Sequence, residues 1–208
     1  MEWALADLIN SPDVMQKVQE ELDEVVGKER LVKEVDIPAL PYLGAVVKES
    51  MRMHPVVPLL IPHIAAQECK IGGYKLPAKT RAYVNTWAIS RDPTVWERPL
   101  DFWPERFQEN NLDVRGQNFE LLPFGSGRRR CPGYALGLLN VHLMLASLVQ
   151  GFTWSLVPLN APEAHGHIHL DMSERFGLTV AMAKPLRAFA VPRLSLHLYQ
   201  GLHAHYHQ

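Results

Sequence analysis

Cysteine is scarce in this 208-residue chain: Cys69 and Cys131 are its only two. Two are too few for the disulfide framework of a small secreted domain, so a reducing compartment is the expectation. Long apolar runs are scarce as well. No stretch approaches the roughly 20 unbroken apolar residues that span a bilayer, and the first residues hold no apolar core of a secretory signal, so the sequence shows no anchor and no signal peptide. An excess of one charge is missing too. The 21 Lys and Arg against 22 Asp and Glu leave a formal net charge of −1, which provides no global field to draw nucleic acid or anionic lipid. No internal repeat is visible. With 47% hydrophobic and 21% charged residues, the composition is that of a globular protein with one sizeable core.

Periodicity organises the first third of the chain. Trp3, Ala4, Leu5, Leu8 and Ile9 recur at helical spacing from the outset, with no cap residue before them. Ser11-Pro12 reads as the start of a second helix, with the hydroxyl as cap and proline in the first turn. Val14, Val18, Leu22 and Val25 form its apolar face, and Gly27 ends it. A further helix is predicted from about Tyr42 to His54, with Leu43, Val46, Val47 and Met51 on one stripe, until Pro55 forbids continuation. Between Ile61 and Asn85, short β-branched runs separated by Gly72-Gly73 and Pro77 predict a small antiparallel sheet, followed by a short helix near Thr86. Residues 93 to 130 read as a long ordered loop of the functional kind. From Tyr134 to Gly151 the sequence is apolar on nearly every side, broken only by Asn140, His142, Ser147 and Gln150, which predicts a buried core helix. Strands are expected near 178–183 and 188–191, and a flexible tail over 195–208.

The segment PFGSGRRRCPG, residues 123 to 133, carries Phe124, Gly127, Arg129, Cys131 and Gly133 in the order F-x-x-G-x-R-x-C-x-G. This resembles the haem-ligand signature of the cytochrome P450 family. The resemblance implies that Cys131 is the thiolate ligand of a haem b iron, pushing electron density onto the metal and favouring O–O cleavage. It implies further that Gly127 and Gly133 let the chain fold tightly around the sulfur, that Arg129 pairs with a haem propionate, and that Phe124 shields the sulfur from water. The apolar helix after Gly133 would lie behind the porphyrin with its N-terminal dipole toward the thiolate.

Other segments resemble the family in the expected order. Glu49 and Arg52 match its E-x-x-R motif, and FWPERF, residues 102 to 107, matches the segment whose arginine, here Arg106, closes a buried triad with them. Such a triad would brace the loop that delivers Cys131, and a buried charge set must be complete or it is costly. HPVVPLLIPHIA, residues 54 to 65, resembles the strand beside the haem. There His63 falls near a propionate, while Val57, Leu59 and Leu60 would face substrate. The RDP of residues 91 to 93 and the segment 171–186 look like those of plant microsomal members, with Phe176, Gly177 and Leu178 as a turn at the substrate pocket.

The resemblance covers residues 1 to about 194 and implies the C-terminal half of the P450 fold, mainly α with small antiparallel sheets. The activity it implies is oxygen insertion from dioxygen into a small apolar plant secondary metabolite, with NADPH electrons delivered by a separate cytochrome P450 reductase. Complete members carry a membrane anchor and sit on the cytosolic face of the endoplasmic reticulum. They also hold an early Trp and Arg at the haem and an oxygen-activating acid-threonine pair. Those elements are expected upstream of Met1, and without them the chain would expose a wide apolar face and bind haem poorly. Two other readings are a haem-thiolate isomerase or dehydratase acting on hydroperoxides, whose relatives usually disturb the cysteine loop, and a non-catalytic haem-binding fragment. The alternating histidines 165, 167, 169 and 203, 205, 207 suggest adventitious metal binding rather than a closed four-ligand site.

Overall fold

A computed structural model describes residues 1–110, 112–156 and 169–200. Helix α1 spans Glu2–Asn10 and α2 spans Pro12–Val25, with Pro12 in the first turn as its missing N–H allows. The Ser11 hydroxyl makes no capping bond, contrary to expectation; the residue instead ends α1, its N–H donating to Leu8 O at 3.1 Å. Val18 and Leu22 are buried as the periodicity predicts, but Val26 rather than Val25 closes that face. After a 3-10 turn at Glu34–Ala39 comes α3, Pro41–Met53. Its N-cap position holds Leu40, which cannot cap. Glu21 of α2 does so from a distance, its carboxylate accepting from Tyr42 N at 2.7 Å and Leu43 N at 2.9 Å. Leu43, Val46 and Val47 then bury completely against Leu8, Val18, Leu22 and Leu145.

The region 61–85 forms two separate two-stranded ladders rather than one sheet. Strands β1 (His63–Ile64) and β4 (Arg81–Ala82) pair antiparallel, enclosing the hairpin of β2 (Cys69–Ile71) and β3 (Tyr74–Leu76). Gly72 and Gly73 turn that hairpin at φ +57° and +85°, the positive angles that a two-residue turn between right-twisted strands requires. Helix α4, Thr86–Ile89, follows, capped by the Asn85 side chain on Ala88 N. The long loop contains 3-10 turns at Pro104–Phe107 and Gly127–Arg129.

Helix α5, Tyr134–Gly151, is buried only at its C-terminal end, through Leu145, Ala146, Val149, Gln150 and Gly151. The expectation of a wholly buried helix is thus corrected: Leu136 is 64% exposed and Met144 55%. Composition alone does not fix burial, because the helix packs on α2 and α3 mainly through its last turns. By length and composition α5 would also pass as a membrane span. Its polar positions say otherwise, for Gln150 is fully buried and spends its amide on the loop after α2: Val32 N donates to Oε1 at 2.8 Å, and Nε2 donates to Gly27 O and Arg30 O at 3.0 Å each.

Strand β5 (Phe152–Ser155) pairs with β8 (Phe189–Pro192), and β6 (Glu174–Arg175) with β7 (Ala181–Met182). Where a tail was expected from 195, residues His197–Gln200 form α6, and Tyr199 ties it down: its hydroxyl accepts from Arg193 N and Leu194 N and donates to Gly151 O. Residues 201–208 and the histidines 165 and 167 lie outside the described residues.

Candidate functional site

The charge cluster that the family resemblance implies is assembled in the core. Glu49 and Arg52 are fully buried on one face of α3, with Arg52 Nε 2.7 Å from Glu49 Oε2 and Nη2 2.8 Å from Oε1. Arg106, in the turn Pro104–Phe107, reaches Oε1 at 3.2 Å, and Trp103 N donates to the same oxygen at 2.8 Å. One carboxylate therefore faces two guanidinia. The remaining N–H groups are satisfied by carbonyls: Ser90, Pro99 and Asp101 for Arg52, Glu97 and Arg98 for Arg106. The Trp96 ring lies 5.3 Å from the Arg52 guanidinium carbon and 5.9 Å from that of Arg106. The cluster fastens α3 to α4 and to the loop ahead of the cysteine segment.

That segment is folded into a tight loop. Cys131 N donates to Phe124 O at 2.9 Å and Gly125 N to Leu122 O at 3.1 Å. Gly125 and Gly127 adopt φ +72° and +66°. Phe124 seats against α5, where a Cβ on Gly137 would come 3.6 Å from its ring, and it meets Tyr134 edge-on. Three residues missed at the sequence level tie the loop to the segment 115–116. Gly116 allows backbone contact with Gly125, Ser126 Oγ donates to Gly116 O at 2.5 Å, and Arg130 stacks 3.9 Å over Tyr134 while donating to Arg115 O. A glycine inside an otherwise polar loop was the one available signal. The result places Cys131 just ahead of the first turn of α5 as a free, exposed thiol.

The segment 54–65 is drawn against this loop, since a Cβ at Gly125 would stand 3.8 Å from Leu60 Cδ1. It is also tied to the hairpin β6–β7, Val180 N donating to Val56 O at 2.8 Å. Val57 and Leu59 are half-buried, whereas Phe176, Gly177 and Leu178 form the exposed tip of that hairpin. His63 pairs through its backbone with Ala82 and has an exposed side chain. Arg129 is exposed as well, with no acidic partner among the described residues. Gly133 is open on its Cβ side apart from Cys131 Sγ at 4.0 Å.

A haem held through a thiolate would need an accessible sulfur donor, cations for its propionates and apolar walls. The residues present fit it. Cys131 is accessible, Arg129 and His63 are exposed with no acidic partner among the described residues, and Leu60 lies beside the loop. Among the described residues no group of three or more His, Cys, Asp and Glu could hold a metal ion in its place.

Comparison with known proteins agrees with this geometry. The family model described as Cytochrome P450 matches residues 1–170. The chain is 48% identical over 204 residues to Cytochrome P450 98A2 of Glycine max, covering 98% of this chain and 39% of that protein. It is 49% identical over 203 residues to Flavonoid 3'-monooxygenase of Arabidopsis thaliana, covering 96% of this chain and 39% of that one. A zebrafish cytochrome P450 solved with progesterone superposes with a TM-score of 0.77 at 38% identity, covering 92% of this chain and 40% of that one. The chain thus spans about two fifths of the length of the proteins it matches. Its fold, mainly helical with small antiparallel sheets, is the one these structures share over that span, and the chain belongs to the cytochrome P450 family.

Proposed function

We propose that this chain supplies the thiolate-bearing part of a haem monooxygenase that hydroxylates an apolar plant secondary metabolite, of the flavonoid or a related phenolic class. When bound, the haem activates dioxygen with electrons that originate in NADPH and arrive through a separate reductase. The observation that carries the reading is a free Cys131 thiol held on a loop closed by its own N–H bond to Phe124 O. Residues of the chain then have defined work. The backbone loop and the N-terminal end of α5 stabilise negative charge on the sulfur, and Phe124, Gly127 and Gly133 shape the space around it. Arg129 and His63 hold the propionates, and the cluster of Glu49, Arg52 and Arg106 keeps the loop in place. Val57, Leu59 and Leu60 from one side and Phe176, Gly177 and Leu178 from the other line the substrate space. The relatives named Flavonoid 3'-monooxygenase, from Arabidopsis thaliana and Petunia hybrida, support the substrate class. The same kinship supports microsomal residence of the whole protein, facing the cytosol.

The carbon monoxide difference spectrum of the reduced, haem-loaded protein tests this. The parent should give the red-shifted Soret band of thiolate ligation, and Cys131→Ser should lose it. Persistence of that band in Cys131→Ser would sink the assignment. Turnover of flavonoids under labelled dioxygen, with reductase and NADPH, should place one labelled oxygen in the product.

A further inference from the structure

The hairpin β6–β7 ends in a tip whose Phe176 and Leu178 are 71% and 72% exposed, so its direction is set at its root rather than by its own packing. One side of that root is the Val180 N to Val56 O bond. The other is Glu174. Its Oε2 accepts from the Trp87 indole N–H at 3.2 Å, and its Oε1 lies 3.5 Å from Arg91 Nη2. The Arg91 guanidinium stands 4.3 Å over the Trp87 ring and donates to Met53 O, at the end of α3, at 2.5 Å. The indole and the guanidinium that grip the carboxylate are therefore locked onto each other, in the arrangement that lets a cation and an aromatic face reinforce one another. Their platform is itself anchored. Thr86 Oγ1 donates to Pro58 O at 2.9 Å, Trp87 N to Pro58 O at 3.2 Å, and Arg52 of the buried cluster to Ser90 O at 2.6 Å. A solvated ion pair at this separation would contribute little. Here the Arg91 side chain is only 13% exposed and already oriented by the stack, so the contact carries geometric information.

We propose that Trp87, Arg91 and Glu174 form a positioning clamp that sets the aim of the turn 176–178, and through it the orientation of bound substrate. None of the three needs to touch the substrate. The link to substrate rests on the monooxygenase reading above; the clamp itself does not.

Two measurements separate these parts. In the full chain, hydrogen exchange at the amides of Val180 and Ala183 should accelerate about ten-fold in Trp87→Phe and in Glu174→Gln, as loss of a bond to a charged group implies, while the amide of Cys131 keeps its rate. Unchanged exchange at Val180 and Ala183 in both variants refutes the clamp. In the haem-loaded protein the same variants should keep the thiolate carbonyl spectrum and kcat. KM for a flavonoid should rise about ten-fold or the ratio of hydroxylation positions should shift, a 1.4 kcal/mol effect at that scale, with Arg91→Lys intermediate. Faster exchange with unaltered KM and product ratio refutes the substrate link. A parent that lacks the thiolate band refutes the monooxygenase reading instead, with the exchange result still deciding the clamp.

Discussion

Replacing Glu49 by glutamine keeps the shape of the side chain and removes the one negative charge between two guanidinia. The carboxylate accepts from Arg52 Nε and Nη2, Arg106 Nε and Trp103 N. An amide oxygen can keep the three donors that share Oε1, but the new NH2 group must then face Arg52 Nε, donor against donor. Glu49 and Arg52 have no exposed surface and Arg106 has 6%, so water cannot relieve the conflict. Breaking a buried charge set by removing one member costs about 3–5 kcal/mol. Against a total stability of roughly 5–15 kcal/mol this is a large fraction. For a chain of this size each kcal/mol moves the thermal midpoint by about 2–4 °C, so a drop of about 6–20 °C is expected. The assay is urea and thermal unfolding followed by circular dichroism near neutral pH, with Glu68→Gln as the control. Glu68 pairs with Lys75 at 3.0 Å, but both side chains are more than half exposed, and its loss should cost under about 1 kcal/mol. If the two variants unfold within about 1 kcal/mol of each other, the cluster is not the brace described above.

Other outcomes follow from particular contacts. Gln150→Leu should cost about 1–3 kcal/mol, because it leaves the buried Val32 N–H without an acceptor, and exchange protection of that amide should vanish with it. Gly116→Ala should loosen the cysteine loop: at φ +80° its Cβ would stand 2.6 Å from Gly125 O, a backbone atom, so a loss of at least about 1–3 kcal/mol is expected in the same unfolding assay. His142 reports acid sensitivity. Burial lowers its imidazole below the ordinary 6.5, aided by the Lys48 charge and opposed by the Nδ1 bond to Leu138 O. Because the unfolded chain takes up this proton first, the stability it contributes is complete above pH 6.5 and is lost as pH falls toward the folded value. His142→Leu should flatten the fall in thermal midpoint below that pH; an unchanged slope would refute the assignment.

Local rules carried the reading of the chain where neighbours in sequence decide the outcome. Pro12 starts α2, the Leu43, Val46 and Val47 stripe faces the core, and Gly72-Gly73 turns a hairpin. They failed where the partner is distant. Nothing around Leu40 announces that Glu21 caps α3, and Gln150 reads as a polar break although it is the fastener of the loop 27–32. At the site, the cysteine loop was legible because its residues are consecutive, and the triad because motif order placed Arg106 with Glu49 and Arg52. The grip of Trp87 and Arg91 on Glu174 spans more than eighty positions and leaves no periodic trace. The apolar look of α5 was misleading for a related reason: hydrophobicity states what a helix can bury, whereas burial depends on what packs against it.

The graded burial of α5 also orders its opening. Its last turns, from Leu145 on, are locked in the core, while the turn beginning at Tyr134 rests mainly on Phe124 and leaves Leu136 exposed, so fraying is expected to start at the end next to Cys131. In this chain the thiol stands just ahead of the less buried end of the helix. Any ligand that grips the sulfur therefore also holds that turn against fraying, and its apparent affinity includes the free energy of doing so. Mild denaturant or warming, well short of global unfolding, should weaken ligation before the circular dichroism of the rest of the protein changes.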